Sequence, residues 1–363
     1  MGETIIAAAL APAAVGRGGR ATFLRVRGSE IPALRTDRGD EFSGSDEDLL
    51  AEIARLTEVN RAGGDRTVER RLLWLRHLAG MRRVAGNGAV AGYPEPDVAR
   101  LPEAEGLPDV APGDLSPELL RAGILRDGCV LVRGLVDRER AVAFAEGIER
   151  AFADRDRARN GGGDGTYEEF RPDERFNITT RELIRKGGGL LAVDAPDLAF
   201  EMLEMLDRVG LPELVAGYLG EAPVLSVQKT TLRRADPSMW GAWHQDGTFM
   251  GDTRPLNLWL ALSRCGDEAP GLDLVPRRLD HLVAAGTEGT FVDIEVTQAN
   301  VEEAAGAAGT LSPVFEPGDA LLFDDLFLHR TGSHPSMSKP RYAIESWFFG
   351  GSGFPVDYAP IAV

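Results

Sequence analysis

The spacing of apolar residues divides the chain into a helix-rich first part and a strand-rich second part. Ser45 precedes an acidic turn and then apolar residues at helical spacing, which is typical of a capped helix start. The same reasoning predicts helices around residues 68–78, after Ser116, after Asp137, and over 197–208 and 212–219. His77 lies in the second of these helices, where we interpret it as a partly exposed surface residue.

From Ala222 onward the pattern changes to short β segments separated by turns. The predicted strands are Val224–Leu232, Gly241–Asp246, Leu256–Leu262, Gly271–Val275, Thr290–Val296, Ala320–Phe323, Leu326–Arg330 and Arg341–Phe349. This rhythm indicates a mainly β fold with flanking helices (α+β) around a double-stranded β-helix, the jelly-roll architecture that cupins share.

A stretch rich in glycine, proline and alanine, residues 86–113, separates the first two predicted helices from the rest and is a candidate boundary. We therefore predict a helical N-terminal extension and linker over residues 1–115, with no role assigned, and a jelly-roll domain over 116–363. The glycine runs at 161–163 and 187–189 lack the Gly-Lys-Ser/Thr ending of a phosphate-binding loop, so we interpret them as flexible loops.

Charge and cysteine content exclude several kinds of protein. The net charge of −17, from 57 acidic and 40 basic residues, argues against general binding to nucleic acid or to anionic membranes. An apolar run near the start lacks the basic segment of a signal peptide, and no later stretch reaches membrane-spanning length, so we expect a cytoplasmic protein. Only Cys129 and Cys265 are present, too few for a disulfide framework or a cysteine-rich zinc site. The sequence does not indicate the oligomeric state.

Three residues on the predicted strands have the chemistry of a mononuclear iron site. Two imidazoles and one carboxylate can occupy one face of Fe(II) and leave the remaining positions open for a chelating cosubstrate and O2. In an extended segment, alternate residues point the same way, so His244 and Asp246 aim at one point. His329, on a later predicted strand, can supply the third ligand; His281 and His334 lie in a loop and a turn and fit less well.

Two further residues suit a keto-acid cosubstrate. If that cosubstrate is 2-oxoglutarate, its distal carboxylate needs a planar, two-pronged cation, which arginine supplies better than lysine. Arg341 opens the strand that follows His329. Thr331 shares the strand face of His329 and can donate another hydrogen bond.

The chain resembles the phytanoyl-CoA dioxygenase family of iron- and 2-oxoglutarate-dependent oxygenases over roughly residues 125–349. The motifs that carry the resemblance are, in order, residues 125–135, 218–220, 243–247, 256–262, 318–323 and 329–332, followed by Arg341. The resemblance implies that His244, Asp246 and His329 bind Fe(II), that Arg341 and Thr331 hold the distal carboxylate of 2-oxoglutarate, and that O2 is the oxidant.

The resemblance also suggests which residues line the cosubstrate pocket. Relatives often present a polar residue from the strand before the His-x-Asp motif; Gln228 has that place here, or Lys229 if the strand register is shifted by one. Asn257 and Trp259 share one face of the following strand, where they line either the pocket or the structural interior of the barrel.

The expected function is that of a 2-oxoglutarate-dependent dioxygenase, which oxidises, and in our main interpretation hydroxylates, a C–H bond of a small molecule while forming succinate and CO2. Asp246 favours this outcome, because related halogenases replace the carboxylate with a small residue. Arg277 and Arg278 stand where relatives carry glycine and serine, which weakens any inference about the substrate. The alternatives are a non-catalytic metal or 2-oxoglutarate sensor and a protein or peptide hydroxylase.

Overall fold

The structure, a computed structural model, describes residues 42–63, 65–86, 92–103, 106–172, 176, 178, 180–239, 241–250 and 253–363. The apolar run near the start of the chain lies outside them. The helices are α1 (Asp46–Ala62), α2 (Arg66–Ala85), α3 (Pro117–Asp127), α4 (Arg138–Arg159), α5 (Thr180–Lys186), α6 (Pro196–Arg208), α7 (Leu211–Leu219) and α8 (Gln298–Ala305).

The strands are β1 (Asp109–Val110), β2 (Cys129–Val132), β3 (Gly189–Leu191), β4 (Pro223–Ser226), β5 (Thr231–Ala235), β6 (Pro255–Ala261), β7 (Gly271–Leu274), β8 (Ala320–Phe323), β9 (His329–Gly332), β10 (Arg341–Gly350) and β11 (Pro360–Ala362). The larger sheet has the order β1-β2-β8-β6-β10-β4-β11, with β5 also paired to β10 and β3 paired to β5. The smaller sheet is β7-β9. The predicted fold class, a jelly-roll core with flanking helices, is confirmed.

The helices begin and end at residues whose side chains and backbone suit those positions. Ser45 and Asp48 form a capping box at the start of α1. Ser116 accepts the Leu119 N–H at the start of α3, and α3 ends at Gly128, whose φ of 81° is a left-handed conformation that glycine adopts without strain. No helix among the described residues combines the length and apolar character needed to cross a membrane.

Strand β10 lies between the helical layer and the interior of the barrel, and its side chains point alternately to one and the other. Ile344 and Phe348 pack with the helices in the largest hydrophobic cluster, and Ser346 contacts Met202 of α6. Residues 341, 343, 345, 347 and 349 point the other way. Arg341 and Glu345 of the candidate site lie on this inward face.

Helices α1 and α2 share that largest cluster with the outer side of the sheet. The interpretation of His77 as a surface residue is wrong, because it is 1% exposed and its Nδ1 lies 2.8 Å from the carbonyl oxygen of Pro360 in β11. The boundary at residue 115 stays a prediction.

The predicted strands differ from the structure where long-range pairing decides the outcome. Residues 224–232 form two strands, β4 and β5, separated by a 3-10 turn at Val227–Lys229. Residues 241–246 and 290–296 form single bridges instead of strands, and the strand predicted from 326 begins at His329. The sequence did not predict β1, β3, β11, α5 or α8.

Candidate metal centre and cosubstrate pocket

The structure brings His244, Asp246 and His329 together. One ligand atom from each lies within 4.8 Å of the others. An antiparallel bridge fixes the approach: His244 N donates to His329 O (3.0 Å) and His329 N donates to His244 O (3.1 Å). The two segments, far apart in the chain, are thus joined directly at the two candidate imidazole ligands.

Both imidazoles are oriented by carbonyl groups two residues earlier in the chain. The Nδ1 of His244 lies 2.8 Å from Ala242 O, and the Nδ1 of His329 lies 3.0 Å from Phe327 O. When Nδ1–H donates to these oxygens, each Nε2 keeps its lone pair for a metal. Burial lowers the pKa of His244 to about 4 and also lowers the pKa of His329, so both rings are neutral near pH 7.

The carboxylate of Asp246 is oriented by Asn257 of β6. Asn257 Nδ2 donates to Asp246 Oδ2 at 2.6 Å, while Asp246 Oδ1 lies 3.6 Å from His244 Nε2. Burial raises the pKa of Asp246 to about 6, an effect that a bound cation would oppose. Asn257 therefore lies beside the candidate metal ligands, where it holds one carboxylate oxygen of Asp246 and leaves the other without a hydrogen bond from Asn257.

Gln245, between the two ligands, anchors the motif from the opposite side. Its Nε2 donates to Leu326 O (2.6 Å) and His281 O (3.1 Å), and its Oε1 accepts the Val283 N–H (2.7 Å). These three bonds satisfy a fully buried amide. Gln245 thus supports the backbone between His244 and Asp246.

A side chain at Gly247, the residue after Asp246, would be crowded by Asp325 and Leu282. A Cβ at this position would lie 2.9 Å from Asp325 Oδ2. The Gly247 N–H also donates to Asp325 O at 2.8 Å. Burial, and then the charge of Asp324, raise the pKa of Asp325 to about 7.

Arg341 is fully buried at the start of β10. Its Nη1 donates to Gly271 O at 3.2 Å, and its guanidinium carbon lies 5.4 Å from the ring centre of Trp259. Its Nε and Nη2 have no hydrogen-bond partner among the described residues. A buried guanidinium with two open nitrogens fits an incoming carboxylate. Thr331 lies on β9 opposite Leu272, two residues after His329.

The Gln228 side chain, which was predicted to contact the cosubstrate, is hydrogen-bonded to the C-terminal segment. The turn at Val227–Lys229 directs its amide toward the C-terminal segment, where Nε2 donates to Asp357 O (3.2 Å) and Oε1 accepts the Ala359 N–H (2.9 Å). The alternative residue, Lys229, points toward Asp246: its Nζ lies 4.5 Å from the Trp347 ring centre, and its charge offsets part of the effect of burial, which raises the pKa of Asp246.

Two charged residues inside the barrel were missed by sequence reasoning. Thr231 Oγ1 donates to Glu345 Oε2 at 3.1 Å, and Arg233 Nε lies 3.6 Å from Glu345 Oε1. Burial alone would raise the pKa of Glu345, but the charges of Arg233 and Arg341 bring it below its ordinary value. Strand alternation from Arg341 could have predicted that Glu345 faces inward.

His281 and His334 are exposed and lie outside the ligand cluster.

The fold and the site define a 2-oxoglutarate-dependent non-haem iron dioxygenase. The sequence model of the family described as Phytanoyl-CoA dioxygenase (PhyH) matches residues 124–343. The chain belongs to this family. No curated protein is significantly similar to it in sequence.

Several solved structures are similar to parts of this chain at low sequence identity. EctD from S. alaskensis, with 2-oxoglutarate and 5-hydroxyectoine, is 16% identical with a TM-score of 0.47, covering 72% of this chain and 88% of that chain. AviO1 from Streptomyces viridochromogenes Tue57 is 18% identical with a TM-score of 0.40, and the match covers 65% of this chain and 96% of AviO1. The epimerase SnoN, with Fe3+, alpha-ketoglutarate and nogalamycin RO, is 16% identical with a TM-score of 0.43, and the match covers 64% of this chain and 82% of SnoN.

Proposed function

We propose that this protein binds Fe(II) through His244, Asp246 and His329 and uses 2-oxoglutarate and O2 to hydroxylate a C–H bond of a small-molecule substrate, forming succinate and CO2. The observation that carries the proposal is the convergence of these three ligand atoms within 4.8 Å. Their tautomers and orientation are set by neighbouring hydrogen-bonding groups, as metal ligands require.

The residues present fit the metal and the cosubstrate. Fe(II) held by these ligands supplies activation of O2 and oxidation of an unactivated C–H bond. The two imidazoles and the carboxylate would hold the metal, and the keto-acid end of 2-oxoglutarate would chelate it. Arg341 would receive the distal carboxylate on its open nitrogens, with Thr331 as a further donor.

The main substrate would meet a partly aromatic surface beside the metal ligands. The Lys229 ammonium lies 4.5 Å from the ring centre of Trp347 and 6.0 Å from that of Tyr358. Tyr358 is close enough to Asp246 for that carboxylate to contribute to the raised pKa of the phenol, after the larger effect of burial. These aromatic side chains can exclude water and position a small molecule.

An anaerobic titration tests the assignment. Adding 2-oxoglutarate to the Fe(II)-loaded protein should produce the visible charge-transfer band of a chelated keto acid, and admitting O2 should then release succinate. His244→Ala and Asp246→Ala should lose both signals, because each removes a metal ligand. His334→Ala is the matched control, since it removes an exposed histidine outside the ligand cluster.

Two results would contradict the proposal. Succinate formation at the wild-type rate in Asp246→Ala would mean that the metal site lies elsewhere. A charge-transfer band without succinate release, across a broad set of small molecules, would instead favour a sensor of 2-oxoglutarate.

A further inference from the structure

The turn between β8 and β9, residues 324–328, holds the backbone on both sides of Asp246. The carbonyl oxygen of Asp325 accepts the Gly247 N–H at 2.8 Å. The next carbonyl oxygen along the turn accepts Gln245 Nε2 at 2.6 Å. Gln245 and Gly247 flank Asp246, so the position of this carboxylate depends on the position of the turn.

The same turn orients the ring of His329. The Phe327 carbonyl oxygen lies 3.0 Å from His329 Nδ1, the contact that leaves Nε2 available to a metal. Asp324 shapes the turn from within, because its Oδ1 accepts the Leu326 N–H at 3.1 Å. A shift of the turn would therefore disturb two of the three candidate ligands at once.

Arg278, on the loop after β7, holds the turn through a buried ion pair. Its Nη1 donates to Asp324 Oδ2, the carboxylate oxygen that does not accept the Leu326 N–H. The two side chains are 17% and 4% exposed, so water and salt screen the pair little. This pair connects the loop to the turn.

Other carboxylates near Arg278 contribute less to this connection. Asp280 Oδ1 lies 3.5 Å from Arg278 Nε, but its side chain is 88% exposed, and such a surface contact is weak. Burial raises the pKa of Asp325, and the charge of Arg278 opposes that rise. Removing Arg278 would leave the buried Asp324 carboxylate without its ion-pair partner, which is costly in a protein interior.

The loop that carries Arg278 has supports of its own. The Arg278 N–H donates to Arg126 O at 3.2 Å, at the C-terminal end of α3. Gly128 permits this approach, since a Cβ there would lie 2.9 Å from Arg277 O. Farther along the loop, the Gln245 amide bonds two backbone groups at 3.1 and 2.7 Å. Arg278 therefore attaches the turn to a segment that is held in place independently.

We propose that Arg278 is a positioning residue for the metal centre: through its ion pair with Asp324, it holds the turn between β8 and β9 where that turn orients Asp246 and His329. This inference rests on the metal-binding part of the proposed function. It predicts that removing the charge of Arg278 weakens metal binding, beyond any effect on the stability of the fold.

A Co(II) titration measures metal binding separately from turnover. Co(II) accepts imidazole and carboxylate ligands as Fe(II) does, and its visible bands report the coordination geometry. Arg278→Gln should weaken Co(II) binding about 10-fold and change these bands, because the ligands lose part of their fixed orientation. Arg278→Lys keeps the charge and should retain more of the affinity.

A second buried ion pair provides the matched control. Arg181 donates to both carboxylate oxygens of Asp194, at 2.7 and 2.9 Å, and the two side chains are 16% and 1% exposed. Both residues lie outside the turn and the ligand segments. Arg181→Gln should lower the free energy of unfolding, measured with denaturant on the metal-free protein, and leave the Co(II) affinity and bands unchanged.

A double variant keeps the test decisive should Arg278→Gln not fold. Arg278→Gln/Asp324→Asn leaves no buried charge unpaired, and the new amide oxygen can still accept the Leu326 N–H. It lacks the ion pair that connects the loop to the turn. It should therefore bind Co(II) several-fold more weakly than the wild-type protein; wild-type affinity would overturn the inference.

The results separate this inference from the proposed function. A wild-type protein that bound neither Co(II) nor Fe(II) would defeat both. Metal binding without succinate formation would defeat the proposed function alone. The inference alone would fail if Arg278→Gln bound Co(II) as tightly as the wild type, or if Arg278→Gln and Arg181→Gln lost affinity equally.

Discussion

The interior of the barrel has two walls of opposite character on one continuous sheet. The apolar wall consists of Cys129, Leu131, Trp259, Leu321 and Phe323 on β2, β6 and β8, and it packs against the smaller sheet. The polar wall consists of Thr231, Arg233, Arg341 and Glu345 on β5 and β10. Trp259 is the contact between them, since its ring faces the Arg341 guanidinium.

On both walls, alternate residues of each strand point into the barrel. The walls differ in what fills the space opposite these side chains. The apolar wall is covered by side chains of β7 and nearby segments, so its residues form a dry core. At the polar wall, Glu345 is 32% exposed, and Arg341 has two nitrogens without a hydrogen-bond partner among the described residues. If the proposed function holds, the apolar wall serves stability and the polar wall serves binding, so substitutions on the two walls should affect different measurements.

The largest expected effect is a loss of unfolding free energy from a substitution on the apolar wall. Leu321 is fully buried, and Leu321→Ala should lower the free energy of unfolding by about 2–5 kcal/mol through lost burial and a cavity. Denaturant unfolding measures this, with Val142→Ala, at a 42% exposed position, as a control expected to change little. The dissociation constant of 2-oxoglutarate should not change; a large increase would mean that the two walls are coupled.

Arg341→Met on the polar wall should give the converse result. The dissociation constant of 2-oxoglutarate should rise about 100-fold, because a charged, two-pronged contact is lost. The unfolding free energy without ligand should fall less than in Leu321→Ala, since burying a guanidinium with one hydrogen bond is itself costly. Arg264→Met, at a half-exposed surface position, is the control. Unchanged cosubstrate binding would assign Arg341 a structural role.

A smaller effect is expected from Asn257→Ala, near the metal. Loss of the 2.6 Å hydrogen bond to Asp246 should weaken Fe(II) binding roughly 10- to 100-fold, as other second-layer substitutions do. An anaerobic metal titration measures this, and Asn300→Ala on α8 is a control for loss of an asparagine away from the site. Wild-type Fe(II) affinity would show that Asp246 is oriented without Asn257.

The smallest effect is expected from Gln228→Ala. Its amide bonds to Asp357 and Ala359 attach the C-terminal segment, so their loss should lower the unfolding free energy by about 1–2 kcal/mol. Binding of 2-oxoglutarate should be unchanged. A tenfold loss of affinity for 2-oxoglutarate, with an unchanged unfolding free energy, would instead support the prediction that Gln228 contacts the cosubstrate.

Much of the site could be predicted because it depends on local spacing. Residue types and alternation within one strand were enough to predict the His-x-Asp motif and the position of Arg341 at the start of β10. They also predicted the strands β6, β7, β8 and β10. The starts of the capped helices were also predictable from local sequence, because Ser45 and Ser116 accept hydrogen bonds from N–H groups three residues later.

The remaining features depended on distant partners. Sequence alone predicted which residues could bind a metal and which of them share a face within each strand. Tertiary structure decided that the chain turns at Val227–Lys229, that Gln228 is bound by the C-terminal segment, and that Arg233 meets Glu345. The physical reason is that alternation sets direction within a strand, whereas strand breaks and cross-strand register are set by hydrogen bonds to segments far along the chain.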